Sequence, residues 1–140
     1  GCIAGIGCHS IQVPIAVEKA SIRPDFDMKR LHHGIYWSAT PTEQRVDFNV
    51  DSGGAQDHDN IWSITPERTI DFMRNVTRPW IAFKVLAAGA IHPSEGFKYA
   101  FDTGADFICV GMFDFQVREN AIIARDAIAG AATRPRPWRA

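Results

Sequence analysis

The chain has 140 residues, 46% of them hydrophobic and 22% charged, with a formal net charge of −1. That is room for one ordinary domain. The near-neutral balance removes the electrostatic case for nucleic acid or an anionic membrane as a partner, and no apolar run is long enough to span a bilayer. Cys2, Cys8 and Cys109 follow neither a metal nor a redox spacing, which favours a reducing, cytoplasmic compartment. Gly1 opens just ahead of a strand with no initiator methionine. The sequence reads as a piece of something longer, whose targeting information would lie in the missing part.

In chain order, residues 3–8 form a Gly-rich strand, followed by a helix over residues 13–20 with Pro14 in its first turn. Residues 25–31 form the second strand. Its helix comes late, with Thr65 as cap, Pro66 at the first position and a run over residues 67–75. The gap of residues 32–64 is long for a compact domain, and such loops are usually functional or disordered. Residues 51–56 within it are expected to be mobile. The aromatics Tyr36, Trp37 and Trp62 are expected to pack over the strand ends as a lid.

Residues 80–86 are a third strand, apolar enough to be buried on both faces. Residues 87–90 turn, Pro93 and Glu95 open a helix with the apolar stripe Phe97, Ala100 and Phe101, and Gly104 stops it. Residues 106–112 form the fourth strand, Asp114 is a plausible cap, and residues 117–128 form the last helix. Arg134, Arg136 and Arg139, interleaved with Pro135 and Pro137, read as a frayed terminus.

Strand–helix alternation at this spacing means a parallel sheet with right-handed crossovers. Four such units are half of a (βα)₈ TIM barrel, which needs roughly 250 residues. The expected architecture is therefore an α/β C-terminal half-barrel, units 5–8, over residues 1–130. A basic, Pro-rich tail covers residues 131–140. Four parallel strands leave two edges and an inner face open, so a homodimer or pairing with an N-terminal half-barrel is expected.

Strand alternation selects the candidates for chemistry. With Phe26, Met28, Phe83 and Val85 assigned to the helix side, Asp27, Lys29 and Leu31 point inward, as do Ala82, Lys84 and Leu86. Two inward lysines on neighbouring strands depress each other's pKa, which suits an amine nucleophile. The bland alternative is an ion pair of either lysine with Asp27. His9 ends the first strand, His32 and His33 end the second, and Asp57, His58 and Asp59 lie in the long loop. His33 and Asp59, with His9 or His32, are the candidate ligands for a divalent metal, although no two have a recognised ligand spacing. Gly89 with Ala90 after the third strand, and Gly111 at the end of the fourth, sit where barrels often bind phosphate through backbone amides.

The residues Ala4-Gly5-Ile6-Gly7-Cys8-His9, Pro24 to Lys29 with Leu31-His32-His33, Tyr36-Trp37, Pro79 to Ile91 and Gly104 to Met112 carry a resemblance. Together they resemble the C-terminal half of an uncharacterised bacterial family of TIM-barrel proteins. That likeness implies the fold and no particular reaction. The chain also resembles deoxyribose-phosphate-type class I aldolases, in which one strand carries a Schiff-base lysine and the next a second lysine. The likeness would give Lys29 the first role and Lys84 the second, with Ala88-Gly89-Ala90-Ile91 standing near the family's Gly-Gly-Ile turn. Arg30-Leu31-His32-His33 departs from the Ser/Thr residues that follow the nucleophile there.

The functional expectation is an enzyme, or half of one, acting on a small polar substrate such as a sugar or sugar phosphate. Lys29 attacks a carbonyl, Lys84 keeps it partly deprotonated, and His32 or His9 moves protons. Gly89, Ala90, Gly111 and Trp37 bind the substrate, and no cofactor is needed. A metal-dependent isomerase or hydrolase and a non-catalytic ligand-binding half-barrel are the alternatives.

Overall fold

A computed structural model describes residues 1–45, 63 and 65–139. The expectations for residues 51–56, for Asp57, His58 and Asp59 and for Trp62 lie outside the described residues. Four strands, β1 (Gly5–Cys8), β2 (Phe26–Arg30), β3 (Trp80–Phe83) and β4 (Phe107–Cys109), form one sheet in the order β1-β2-β3-β4, all neighbours parallel. Helices α1 (Gln12–Lys19), α2 (Pro66–Arg74), α3 (Pro93–Asp102) and α4 (Val117–Gly130) alternate with them. The mixed α/β architecture is compatible with a half-barrel.

The punctuation explains the boundaries. Pro66 and Pro93 stand in the first turns of α2 and α3, where a missing N–H costs nothing. Gly104, at φ +116°, ends the α3 turn in a conformation that penalises any side chain. The strands β3 and β4 are shorter than their apolar runs. β3 stops at Phe83 because Lys84 takes a left-handed conformation, φ +55°.

The core lies between one face of the sheet and the helices: Leu31, Trp80, Ala82 and Val85 pack with Met73, Phe97, Ala100 and Phe101. This reverses the expected facing of the strands. Leu31 and Ala82 turn to the helices, and Asp27 and Lys29, alternate with Leu31 along β2, share that side. Met28, Phe83 and Cys109 instead line a cavity on the open face. Val85 does face the helices, because the left-handed turn at Lys84 breaks the alternation between Phe83 and Val85. Lys84 lines the open-face cavity.

Both buried acids near the strand starts are neutralised by arginine. Asp27 pairs with Arg78 Nε at 2.7 Å, and Arg78 also meets Glu18 of α1. Where the alternative reading of the sequence offered Asp27 a lysine, Arg78 is the partner at 2.7 Å. Burial pushes the Asp27 carboxyl up, and Arg78 opposes the shift.

The tail is not frayed. Arg136 is buried and donates to the carbonyls of Val76, Gly104 and Arg78 and to Asp106 Oδ2. Arg134 donates to the carbonyls of Ala105, Gly104 and Arg136 and to Asp106 Oδ1, 3.1 Å away, with its guanidinium 3.7 Å above the Trp138 ring. Asp106 also accepts from the amides of Trp80 and Arg139, each at 2.9 Å. An acid with no room to reach water has drawn in two guanidiniums, and the Pro-Arg alternation is a strap across the start of β4.

Candidate functional site

A cavity of about 850 Å³ opens at the C-terminal ends of β3 and β4, on the open face of the sheet. Met28, Phe83 and Cys109 form its floor, residues from Lys84 to Pro93 other than Ala87 and Ala90 one wall, and Val110 to Phe113 with Gln116, Glu119, Asn120 and Ile123 the other. Of the residues that sequence reasoning selects, Lys84, Gly89 and Gly111 meet here, contributed by the turns after two neighbouring strands. Lys29, His9, His32, His33, Ala90 and Trp37 are not among its lining residues.

The wall carrying Lys84 is conformationally unusual. Lys84, Ala87, Ala88 and Gly89 have φ of 55°, 45°, 56° and 93°. For each non-glycine residue that geometry costs about 1–2 kcal/mol. Positive φ recurs within six residues at the cavity edge, and strain of this kind gathers where function constrains the backbone.

Three amides of the same turn are already engaged within it. The N–H groups of Gly89, Ala90 and Ile91 already donate to Leu86, Ala87 and Leu86 carbonyls at 2.9–3.1 Å. At the start of α3, His92 Nδ1 accepts from the Ser94 amide at 3.3 Å, and the Glu95 and Gly96 amides donate to the His92 carbonyl. Gly89, at φ +93°, suits the turn.

Lys29 does not reach this cavity. It is buried, and its Nζ donates to the Arg30 carbonyl at 2.9 Å. His9 lies close to the floor, its ring 5.3 Å from that of Phe83. Burial, and then the positive charges of Arg30, Lys84 and Lys29, hold His9 below the ordinary imidazole range. It is therefore a neutral base at pH 7. The neighbouring Cys8 thiol is pushed up to about 11, chiefly by burial, which makes it inert.

Each histidine after β2 accepts an amide of its own loop. His32 Nδ1 accepts from the Gly34 amide at 3.1 Å and its ring meets Tyr36 edge-on at 5.7 Å. His33 Nδ1 accepts from the Ile35 amide at 2.9 Å, and its Nε2 lies 3.1 Å from Glu95. Among the described residues, no group of three or more His, Cys, Asp or Glu side chains could hold a metal ion. Trp37 is 89% exposed, so of the expected lid only Tyr36 packs down among the described residues.

Sequence reasoning missed His92, Gln116, Glu119 and Asn120, polar side chains on the cavity walls. Asn120 carried a signal: a short amide in mid-helix competes poorly for helix and is usually found where a polar contact is wanted. It is buried here, its Nδ2 3.6 Å from Met112 Sδ. No protein-family model, curated protein or solved structure matches the chain.

Proposed function

We propose that the chain is half of a (βα)₈ barrel whose cleft binds a small hydroxylated carbonyl compound, with Lys84 as the amine that condenses with it. The observation that carries the reading is the placement of Lys84, turned into a cavity of about 850 Å³ by a left-handed backbone. Small-molecule sites run to roughly 300–1,000 Å³, largely apolar with a few convergent polar groups. The role expected of Lys29 passes to Lys84, because Lys29 lies on the helix side and is tied to a backbone carbonyl. Gln116, Glu119 and Asn120 are suited to hydroxyl groups. The engaged amides around Gly89 favour a sugar-like compound over its phosphate.

In this reading the Lys84 amine, after giving up its proton, adds to the carbonyl carbon, and the resulting carbinolamine loses water to give an imine. His9, held neutral and with its ring 5.3 Å from that of Phe83, is the nearby base. Incubation with glyceraldehyde and borohydride, followed by peptide mass spectrometry, tests it. The expected adduct is on Lys84, lost in Lys84→Ala and kept in Lys29→Met. Labelling confined to the exposed lysines Lys19 and Lys98, or unchanged by Lys84→Ala, overturns the reading.

A further inference from the structure

The two edges of the sheet fit each other. On the open face, β1 presents only glycine, Gly5 and Gly7, and β4 presents Phe107 and Cys109. We infer that two copies of this chain close one eight-stranded barrel about a twofold axis along the strands, β4 of each pairing in parallel with β1 of the other. A twofold along the strand direction keeps all eight strands parallel and removes both edges at once. The inference rests on the half-barrel reading, though not on the chemistry of Lys84.

The register follows from the pairing. Gly5 pairs with Phe26, Asp27 with Trp80 and Ile81 with Phe107, so position 5 leads across the sheet to position 105. A barrel of eight strands has a shear of about eight, and thus a step of about four residues between halves. In a right-tilted barrel that step sets residues 107, 109, 111 and 113 opposite residues 3, 5, 7 and 9 of the second copy.

The residues so matched are complementary. Phe107, 45% exposed, meets Ile3, 81% exposed, two apolar side chains each lacking cover in one copy. Cys109 falls opposite Gly5, and Gly111 opposite Gly7. Within one copy the Phe26 ring already lies over Gly5, so a bulky side chain across a β1 glycine is a packing this sheet uses. Phe113, 69% exposed at the cavity rim and stacked on Phe115, which is 76% exposed, falls opposite His9. The cavity thereby gains a wall, and the second copy's His9 stands at its rim.

The area suffices. At roughly 200 Å² per fully buried ring, Phe107, Phe113 and Phe115 leave about 380 Å² to be covered in each copy. Doubled for two contacts, and again for the surface that covers them, this is about 1,500 Å², within the range of stable interfaces.

The test is a disulfide at the predicted register, Gly7→Cys with Gly111→Cys in a Cys2→Ser, Cys109→Ser background. A Cβ at either position meets no atom within 4 Å, so both cysteines fit the folded chain. Within one copy the two edges are three strand spacings apart, about 14 Å, beyond the roughly 7 Å that a disulfide bridges. Mild oxidation should give a covalent dimer that goes no further, and sedimentation of the unaltered chain at 10 µM should give a dimer that Phe107→Glu dissociates. A monomer at that concentration overturns the inference, as does a dimer whose 7 and 111 cysteines do not cross-link. So does a chain that assembles only with a separate N-terminal half-barrel. Failure to trap Lys84 with a carbonyl compound would leave the cross-link unaffected, so the two readings fail separately.

Discussion

Replacing Arg136 with alanine removes the side chain on which the strap depends. Its guanidinium is buried and donates to three carbonyls and to Asp106. Asp106 retains Arg134 at 3.1 Å and two backbone amides, so its charge is not stranded entirely. The Val76 and Arg78 carbonyls lose the guanidinium donor. Removing one partner of a buried ion pair costs about 3–5 kcal/mol, and the surviving partners place Arg136→Ala near the lower end, about 3 kcal/mol. For a domain of this size that lowers Tm by roughly 10 °C. Equilibrium urea unfolding with Arg125→Ala as control is the assay. Arg125 pairs with Asp126 on the surface, both side chains mostly exposed, and should cost under about 0.5 kcal/mol. If Arg136→Ala also loses less than about 1 kcal/mol, the strap is decoration and the reasoning fails.

Gly96→Ala should destabilise by about 1–3 kcal/mol in urea, although alanine is the better helix former, because its Cβ would lie 2.7 Å from the Val85 carbonyl oxygen; a gain in stability would show that α3 can lift off β3 at no cost. His9 should titrate below 6.5 by NMR. Because the unfolded chain then binds more protons below that pH, acid should weaken the fold, and His9→Gln should flatten that part of the profile. A titration midpoint at or above 6.5 refutes the buried, cation-flanked placement. Iodoacetamide at pH 8 should modify the exposed Cys2 and spare Cys8 until urea is added, and equal labelling of the two would contradict a buried thiol near 11.

The order and direction of the elements were legible because turn chemistry is local. Pro66, Pro93 and Gly104 mark boundaries through backbone geometry, and the apolar runs between them admit few other readings. The facing of the strands was not legible. In Trp80-Ile81-Ala82-Phe83 every side chain is apolar, so period-2 alternation has no polar face to fix its phase. Bulk suggested that Phe83 faces the helices, whereas Phe83 borders the cavity. The left-handed turn at Lys84 then let Val85 match expectation while Phe83 did not, and nothing in the residue type announces a lysine at positive φ. Gly89 and Gly111 were found because the C-terminal end of a strand is a topological fact, and Lys84 was found by counting alternate positions along a strand that in fact stops one residue before it. His92, Gln116, Glu119 and Asn120 were missed because they depend on how α3 and α4 flank the cleft. The role of Arg136 was hidden for a similar reason, since the need it meets belongs to Asp106, thirty residues earlier.

That separation has a consequence for the order of events on the ribosome. At about 5–20 residues per second, Arg136 is joined to the chain roughly 1.5–6 s after Asp106. Until then the acid at the start of β4 has neither guanidinium, and Val76, Arg78 and Gly104 lack the donors that Arg134 and Arg136 supply. The sheet edge made last is therefore sealed by the residues made after it. An emerging chain holds β4 open for seconds, which is the interval in which a chaperone, or an already finished copy, would meet it.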